Sequence, residues 1–429
     1  MAVNEEGDSV RICIDCLESS IKDMMPHDSL VPLKCCIFKT PSILYRHNEK
    51  AFIPNAFSIG PLHHGNPKLK ATEKVKAKYL QCLISRSPSP NTMLRTLITS
   101  IMKMEKEARE CYAEAIDYDP QQLVKILVVD GCFLIELFRK NVYKKLREED
   151  DPIFTKSCMI QFLYHDLILL ENQVPWTVLE ILFDLTKHSN RNERPLSLLV
   201  VYFFESIFLS YRMLRHQLNQ TNMNIQGIKH IVDLDRKLST LSIEDEEKGI
   251  EGWELLPSAT SLVEAGIKFK RGTSSQNILD IKFIDGVLEI PPLVIHEVTE
   301  TAFRNLISYE QCYPKCKARI TSYAILLDSL INTAKDMDIL CENKIIENWL
   351  NPEDAAHLFN KLYIDTYPDC YYYTNLCKQV NSFCQRRWPR WRAVLVGKYF
   401  NTPWAGFSTL AAVILLILTL VQTVYAMKK

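Results

Sequence analysis

The sequence predicts a mainly α-helical fold: a compact multi-helix domain with a small β-hairpin insertion and one C-terminal transmembrane helix. Three observations carry that expectation. Glycine is scarce, at 12 of 429 residues, roughly 3% against an average of about 7%. Tight hairpins, phosphate-cradling loops and nucleophile elbows all consume glycine, so the shortage favours helices. Apolar residues recur at helical spacing through most of the chain. No charged residue lies between Tyr399 and Met427.

The elements follow in order. Residues 1–29 read as an N-terminal helix and linker: Val10, Ile14, Leu17 and Ile21 keep the 3.6 period within 9–24, and Pro26 stops it. Residues 30–400 read as one helical domain that begins with an irregular, Pro- and Gly-punctuated stretch over 33–65. Periodicity predicts helices over 71–83, 91–115, 121–146, 155–171, 175–187 and 194–218. Pro175 suits a first helical turn. Lys70, Lys74 and Lys78 share one helix face, which reads as solvated. The stretch 219–258, with its acidic SIEDEEKGIE, reads as an exposed loop. Within 278–295, apolar and polar residues alternate on both sides of Asp285-Gly286, the signature of a tight hairpin. Helices resume over 296–310, 316–333, 336–348, 352–364 and 369–400.

The last segment, 404–427, reads as a transmembrane tail anchor. Gly406 to Met427 would span roughly 33 Å as a helix, against a bilayer core of about 30 Å. Arg386, Arg387, Trp388, Arg390, Trp391, Arg392 and Trp404 form a basic-aromatic collar expected at the membrane interface. Positive-inside logic then predicts a single-pass membrane protein with its N-terminal domain in the cytosol, at the plasma membrane or endoplasmic reticulum. Ser408 and Ala412 offer a small-x-x-x-small pair for weak self-association.

Charge and cysteine usage bound the partners. Lys plus Arg and Asp plus Glu both number 51, so no basic excess draws the chain to nucleic acid. The acidic, polar N-terminus lacks a secretory pattern, which makes reduced thiols the default for the 14 cysteines.

Motifs for chemistry are missing. There is no G-x-S-x-G, Walker A, G-x-G-x-x-G or H-E-x-x-H, and no cofactor, catalytic residue or metal is expected. Cys13 and Cys16 have C-x-x-C spacing without a second pair. Cys370, Cys377 and Cys384 repeat every seven residues and suit a packed helical seam, as Cys312 and Cys316 suit core packing. His63 and His64, with Cys35 and Cys36 upstream, were they zinc ligands, would have poor chelate spacing, so a turn-fixing role fits better. Asp130, Glu136, Asp166 and Glu171 fall in apolar helices and need partners if buried. They suit helix-terminal N–H groups or an arginine such as Arg304 better than acid–base catalysis.

Several segments resemble the plant domain-of-unknown-function 247 family: AFIPNAFSIGPLHHG (51–65), VVDGCFLIELF (128–138), HDLILLENQVPWTVLEILF (165–183), LDIKFIDGVLEIPPL (279–293), ETAFRNLISYEQC (300–312) and the Trp-Pro-Arg-rich C-terminal stretch from 388 to 426. The resemblance implies a plant source, a largely helical domain and a C-terminal membrane span. It marks His63, His64, Asp166 and Glu171 as motif residues of unknown role. One grass branch is linked to pollen-side self-incompatibility, which would mean recognition.

These features favour a membrane-tethered, non-enzymatic protein whose helical domain acts in protein interaction, recognition or signalling. The alternatives are an enzyme of unrecognised type acting at the membrane through His63, His64 or the buried acids, and a lipid-binding protein.

Overall fold

A computed structural model gives the fold of the chain and describes residues 34–187, 193–207, 225–240, 253–273, 277–385 and 403–427, with isolated positions among 14–24. Residues 16–22 are helical, as the N-terminal periodicity predicts, and their apolar side chains are exposed.

Among the described residues, six of the longer helices build a first core: α1 (Lys70–Ser85), α2 (Pro90–Lys103), α3 (Pro120–Val142), α4 (Ser157–Leu167), α5 (Trp176–Leu185) and α6 (Leu196–Phe204). The long α3 is its axis, with α1, α2, α5 and α6 packed around it. Local chemistry sets its start. Asp119 accepts from Gln122 N–H, the Gln122 side chain accepts from Asp119 N–H, and Pro120 takes the first helical position, where no amide is needed. Because α3 is enclosed, Asp130, Glu136, Arg139 and Lys140 on it are buried. Each finds an opposite charge: Lys76, Arg86, Glu193 and Asp151 respectively.

A second core joins α8 (Ala259–Glu264), α9 (Thr299–Cys312), α10 (Arg319–Leu330), α11 (Ala334–Glu342), α12 (Pro352–Leu362) and α13 (Thr374–Cys384) to two small sheets. In the larger sheet β3 (Val287–Ile290) lies between β1 (Lys268–Arg271) and β2 (Lys282–Ile284). β2 and β3 form the antiparallel hairpin that the sequence predicts. Its turn residues Asp285 and Gly286 have φ of 49° and 80°, the left-handed pair that a two-residue hairpin loop requires. β1 adds in parallel, and β4 (Leu293–Ile295) pairs in parallel with β5 (Ile346–Asn348). The expected helix over 336–348 therefore ends at Glu342 and turns into a strand.

Helix α7 (Ile231–Thr240) joins the two cores. Ile231, Leu234 and Leu238 pack into the first, and Val232 into the second. It falls inside the stretch expected as an exposed loop over 219–258, and that expectation is corrected here: 231–240 is a buried helix. Its apolar stripe was masked in the sequence by the charges of Asp233, Asp235, Arg236 and Lys237. The acidic run at 242–251 lies outside the described residues.

The C-terminal segment is helical over Pro403–Met427 (α14). Among the described residues no helix is long and apolar enough to cross a membrane. The fold class is thus corrected to mainly helical with two small sheets. The expected transmembrane tail anchor at 404–427, and with it the single-pass membrane localisation, is not supported. Arg386, Arg387, Trp388, Arg390, Trp391 and Arg392 of the expected interface collar lie outside the described residues, as does the side chain of Trp404.

Candidate functional site

The two most distinctive stretches of the sequence, 51–65 and 165–175, bind each other. The first has no regular structure of its own over 52–59, so its amides must find partners elsewhere. Asp166, at the end of α4, supplies three: Oδ1 accepts from Asn55 N–H at 2.7 Å, and Oδ2 accepts from Ala56 and Phe57 N–H at 2.9 and 2.7 Å. Asn172 continues the series. Its Oδ1 accepts from Ile59 N–H at 2.7 Å, while its Nδ2 donates to Phe57 O and Asp166 O. Asp130 closes it, accepting from Gly60 N–H at 2.9 Å.

Lys76 reaches the same loop from α1. Its ammonium donates to Ser58 O at 2.8 Å and to Asp130 Oδ1 at 2.6 Å. Burial nevertheless raises the Asp130 carboxyl above its ordinary range, with Lys76 acting against it. Gly60 has a φ of 75°, and a Cβ there would stand 2.2 Å from Gln173 O. The loop approaches the 169–173 turn so closely that only glycine fits.

Residues 169–173 also face the second core. Leu170 N–H donates to Asn305 Oδ1 on α9, and Asn305 Nδ2 donates back to Ala51 O. Gln173 donates to Leu167 O and Leu169 O and accepts from Ile231 N–H at the start of α7. Glu171 Oε1 accepts from Thr40 N–H at 2.9 Å, and burial raises its carboxyl above the ordinary range. The hub therefore fixes the loop, the chain entry, α7 and α9 together.

His63 sits at its rim. Its Nε2 is 3.6 Å from Glu171 Oε2, too far for a hydrogen bond, and burial together with Lys39 pushes the imidazole down to about 4. A neutral ring makes no ion pair with Glu171. His64 packs edge-on against Tyr118, whose hydroxyl donates to His64 O at 3.0 Å. Among the described residues, neither His63 Nε2 nor His64 Nδ1 has a hydrogen-bond partner. No group of three or more His, Cys, Asp or Glu among them is arranged to hold a metal ion.

The expected partner Arg304 is not at the hub: it pairs with Glu300 one turn away. Glu136 stands apart as well, paired with Arg86. The structure brings together His63, Asp166, Glu171 and Asp130, and adds Lys76, Asn172, Gln173 and Asn305. One signal could have revealed Lys76. Thr72, Lys76, Tyr79 and Leu83 keep the helical period and are all buried, so this lysine lies in an apolar stripe, opposite the Lys70, Lys74, Lys78 face. Of the predicted cysteine seam, Cys377 is buried and Cys370 and Cys384 are half-buried.

His230, buried at the start of α7, links the hub to the chain entry. Its Nε2 lies 2.9 Å from Cys36 O, and its Nδ1 accepts from Asp233 N–H. Burial pushes the ring down to about 4 from 6.5, against the pull of Asp233. The unfolded chain takes up this proton near pH 6.5 and the folded chain only near 4. The contribution is complete above pH 6.5 and is lost as pH falls towards 4. It amounts to about 3 kcal/mol. Asp130, Glu171 and Glu310 shift upward and act in the opposite sense. The difference between the wild type and His230→Gln isolates the imidazole. Between pH 7 and 4.5 the variant should lose less stability in urea titrations, and parallel pH profiles would contradict this.

A small cleft lies between α7, β4 and α9, lined by Asp235, Ser239, Leu293, Phe303, Leu306 and Ile320 among others. None of His63, His64, Asp166 or Glu171 lines it.

Comparison with known proteins places this hub in a wider group. No solved structure gives a significant match. The UPF0481 protein At3g47200 of Arabidopsis thaliana is 26% identical over 418 residues, covering 91% of this chain and 86% of its own length. The putative UPF0481 protein At3g02645 of the same plant is 23% identical over 507 residues, covering 97% and 94%. Residues 37–418 match the family DUF247, described as "Plant protein of unknown function". That match takes in both halves of the hub and nearly the whole fold, and the chain belongs to the DUF247 family of plant proteins.

Proposed function

We propose that the chain is a non-enzymatic interaction protein, a helical body that presents surface side chains to a protein partner. One observation carries this reading: the acids and amides of the distinctive motifs are engaged by the protein's own backbone. Asp166, Asn172 and Asp130 are at most 1% exposed, and their oxygens accept from loop amides. A general acid or base must reach a substrate proton, and these groups face inward.

The surface offers the residue types that dominate binding hot spots. Trp349, just beyond β5, is 72% exposed and Tyr367, beyond α12, is 81% exposed. Proximity labelling with the intact protein in plant tissue tests the proposal. Trp349→Ala or Tyr367→Ala should weaken labelling of at least one reproducible partner about tenfold, the equivalent of about 1.4 kcal/mol. The thermal midpoint should not move. A partner set unchanged in the double variant would sink the proposal.

A further inference from the structure

Residues 35–38 enter the fold alongside the turn that follows the short helix Glu105–Arg109. Cys36 and Ile37 N–H both donate to Cys111 O at 2.9 Å, and Ala113 N–H donates to Ile37 O at 2.9 Å. Ile37 and Tyr112 form a parallel bridge. That register sets Cys36 opposite Cys111 at the spacing of neighbouring strands, about 4.8 Å, inside the Cα separation that a disulfide spans. Side chains alternate along each segment. Tyr112 points to the hub, its hydroxyl donating to Gln173 O, which leaves Cys36 and Cys111 together on the other face. Both thiols are free, Cys36 buried and Cys111 half-buried.

We propose that Cys111 and Cys36 form a hydroperoxide-responsive dithiol, with Cys111 the attacking thiol and Cys36 the resolving one. The surroundings divide the roles. The proximity of the two thiols lowers the Cys111 thiol and raises that of Cys36, and burial adds to the rise at Cys36. Lys229 and Lys34 also favour a Cys111 thiolate, whereas burial and Glu110 oppose it. The Cys111 S–H donates to Glu107 O at 3.4 Å. In the first step the Cys111 thiolate attacks one oxygen of hydrogen peroxide, the O–O bond breaks, and hydroxide leaves a sulfenic acid. Cys36 then attacks that sulfur, its proton goes to the departing hydroxyl, and water leaves as the S–S bond forms. One peroxide is reduced and two thiols are oxidised. The bridge ties the chain entry to the 111–113 turn, next to the contact of His230 with Cys36 O.

Cys35 also lies near Cys111 and Cys312, so the test must separate the pairings. The intact reduced protein, freed of reductant, is titrated with hydrogen peroxide, blocked with an alkylating agent, digested and read by mass spectrometry. A Cys36–Cys111 cross-linked peptide should be the first product, before the exposed Cys16 and Cys158 lose their thiols. In Cys36→Ser the cross-link should vanish and Cys111 should become trappable by dimedone. In Cys111→Ser, Cys36 should stay reduced over the same titration. Earlier oxidation of Cys16 or Cys158, or pairing of Cys111 with Cys35 or Cys312, would overturn the assignment, and product order in the wild type decides this even if a variant folds poorly.

Discussion

Replacing Asp166 by alanine should destabilise the protein by about 4 kcal/mol, because three loop amides lose their acceptor at once and an orphaned buried N–H costs about 1–3 kcal/mol. The three are Asn55, Ala56 and Phe57, and His165 Nδ1 also contacts Oδ1 at 3.0 Å. Phe57 is fully buried and stacks on Phe133 of α3, so its amide cannot simply turn to water. Asp166→Asn makes a graded comparison. An oxygen at the Oδ2 position keeps the bonds from Ala56 and Phe57, while the amide nitrogen meets the Asn55 N–H donor to donor. Urea unfolding should rank wild type above the asparagine variant and that above the alanine variant. Limited proteolysis of the alanine variant should open first within residues 52–60. A loss under about 1 kcal/mol would mean that the loop is held by its apolar contacts alone, and the hub would lose its role.

The same residues show what the sequence reveals and what it hides. Periodicity and turn chemistry are local, so the helices around α3 and the Asp285-Gly286 hairpin are legible from windows of a few residues. The need of Asp130, Asp166 and Glu171 for partners is legible too, because apolar flanks announce burial. The partners themselves are not. Asp166 contacts amides 109 to 111 positions away, and Asn305 binds Ala51 across 254. Backbone amides carry no residue signature, so the sequence points to an arginine instead. Arg304 instead reaches Glu300 on its own helix, where a local pair needs no loop closure. α7 is hidden for the converse reason: four charged residues among ten suggest solvent, but Asp233 accepts from Lys229 N–H and from Tyr309 OH, and Arg236 pairs with Glu310. The terminal apolar run shows the limit of composition. Hydropathy alone gave it a span's length, and the described helix does not carry that span.

The other large effect belongs to Lys140, whose replacement by methionine should cost about 3–5 kcal/mol at neutral pH. Lys140 and Asp151 are both fully buried, with Nζ 2.7 Å from Oδ2. Tyr79 OH donates to Asp151 Oδ1 at 2.7 Å, and Ile153 N–H at 3.1 Å. Methionine fills nearly the same volume and can rest on the Tyr79 ring, over which the ammonium now lies. What it cannot do is neutralise Asp151. Burial acts to raise that carboxyl, and at present Lys140, Tyr79 and Ile153 outweigh it and hold the group below its ordinary value. In the wild type this contribution is present above the unfolded pKa and is lost as pH falls through the lower folded value. Without the ammonium the balance tips the other way, so Asp151 should bind its proton more readily folded than unfolded. The gap between wild type and Lys140→Met should therefore narrow as pH drops from 7 towards 4. Lys140→Met/Asp151→Asn should recover a large part of the loss at pH 7, since asparagine keeps an acceptor for Tyr79 and Ile153 without a charge. Equal losses in the single and double variants, or a gap that does not change with pH, would mean that packing around α3, and not an uncompensated buried carboxylate, sets the cost.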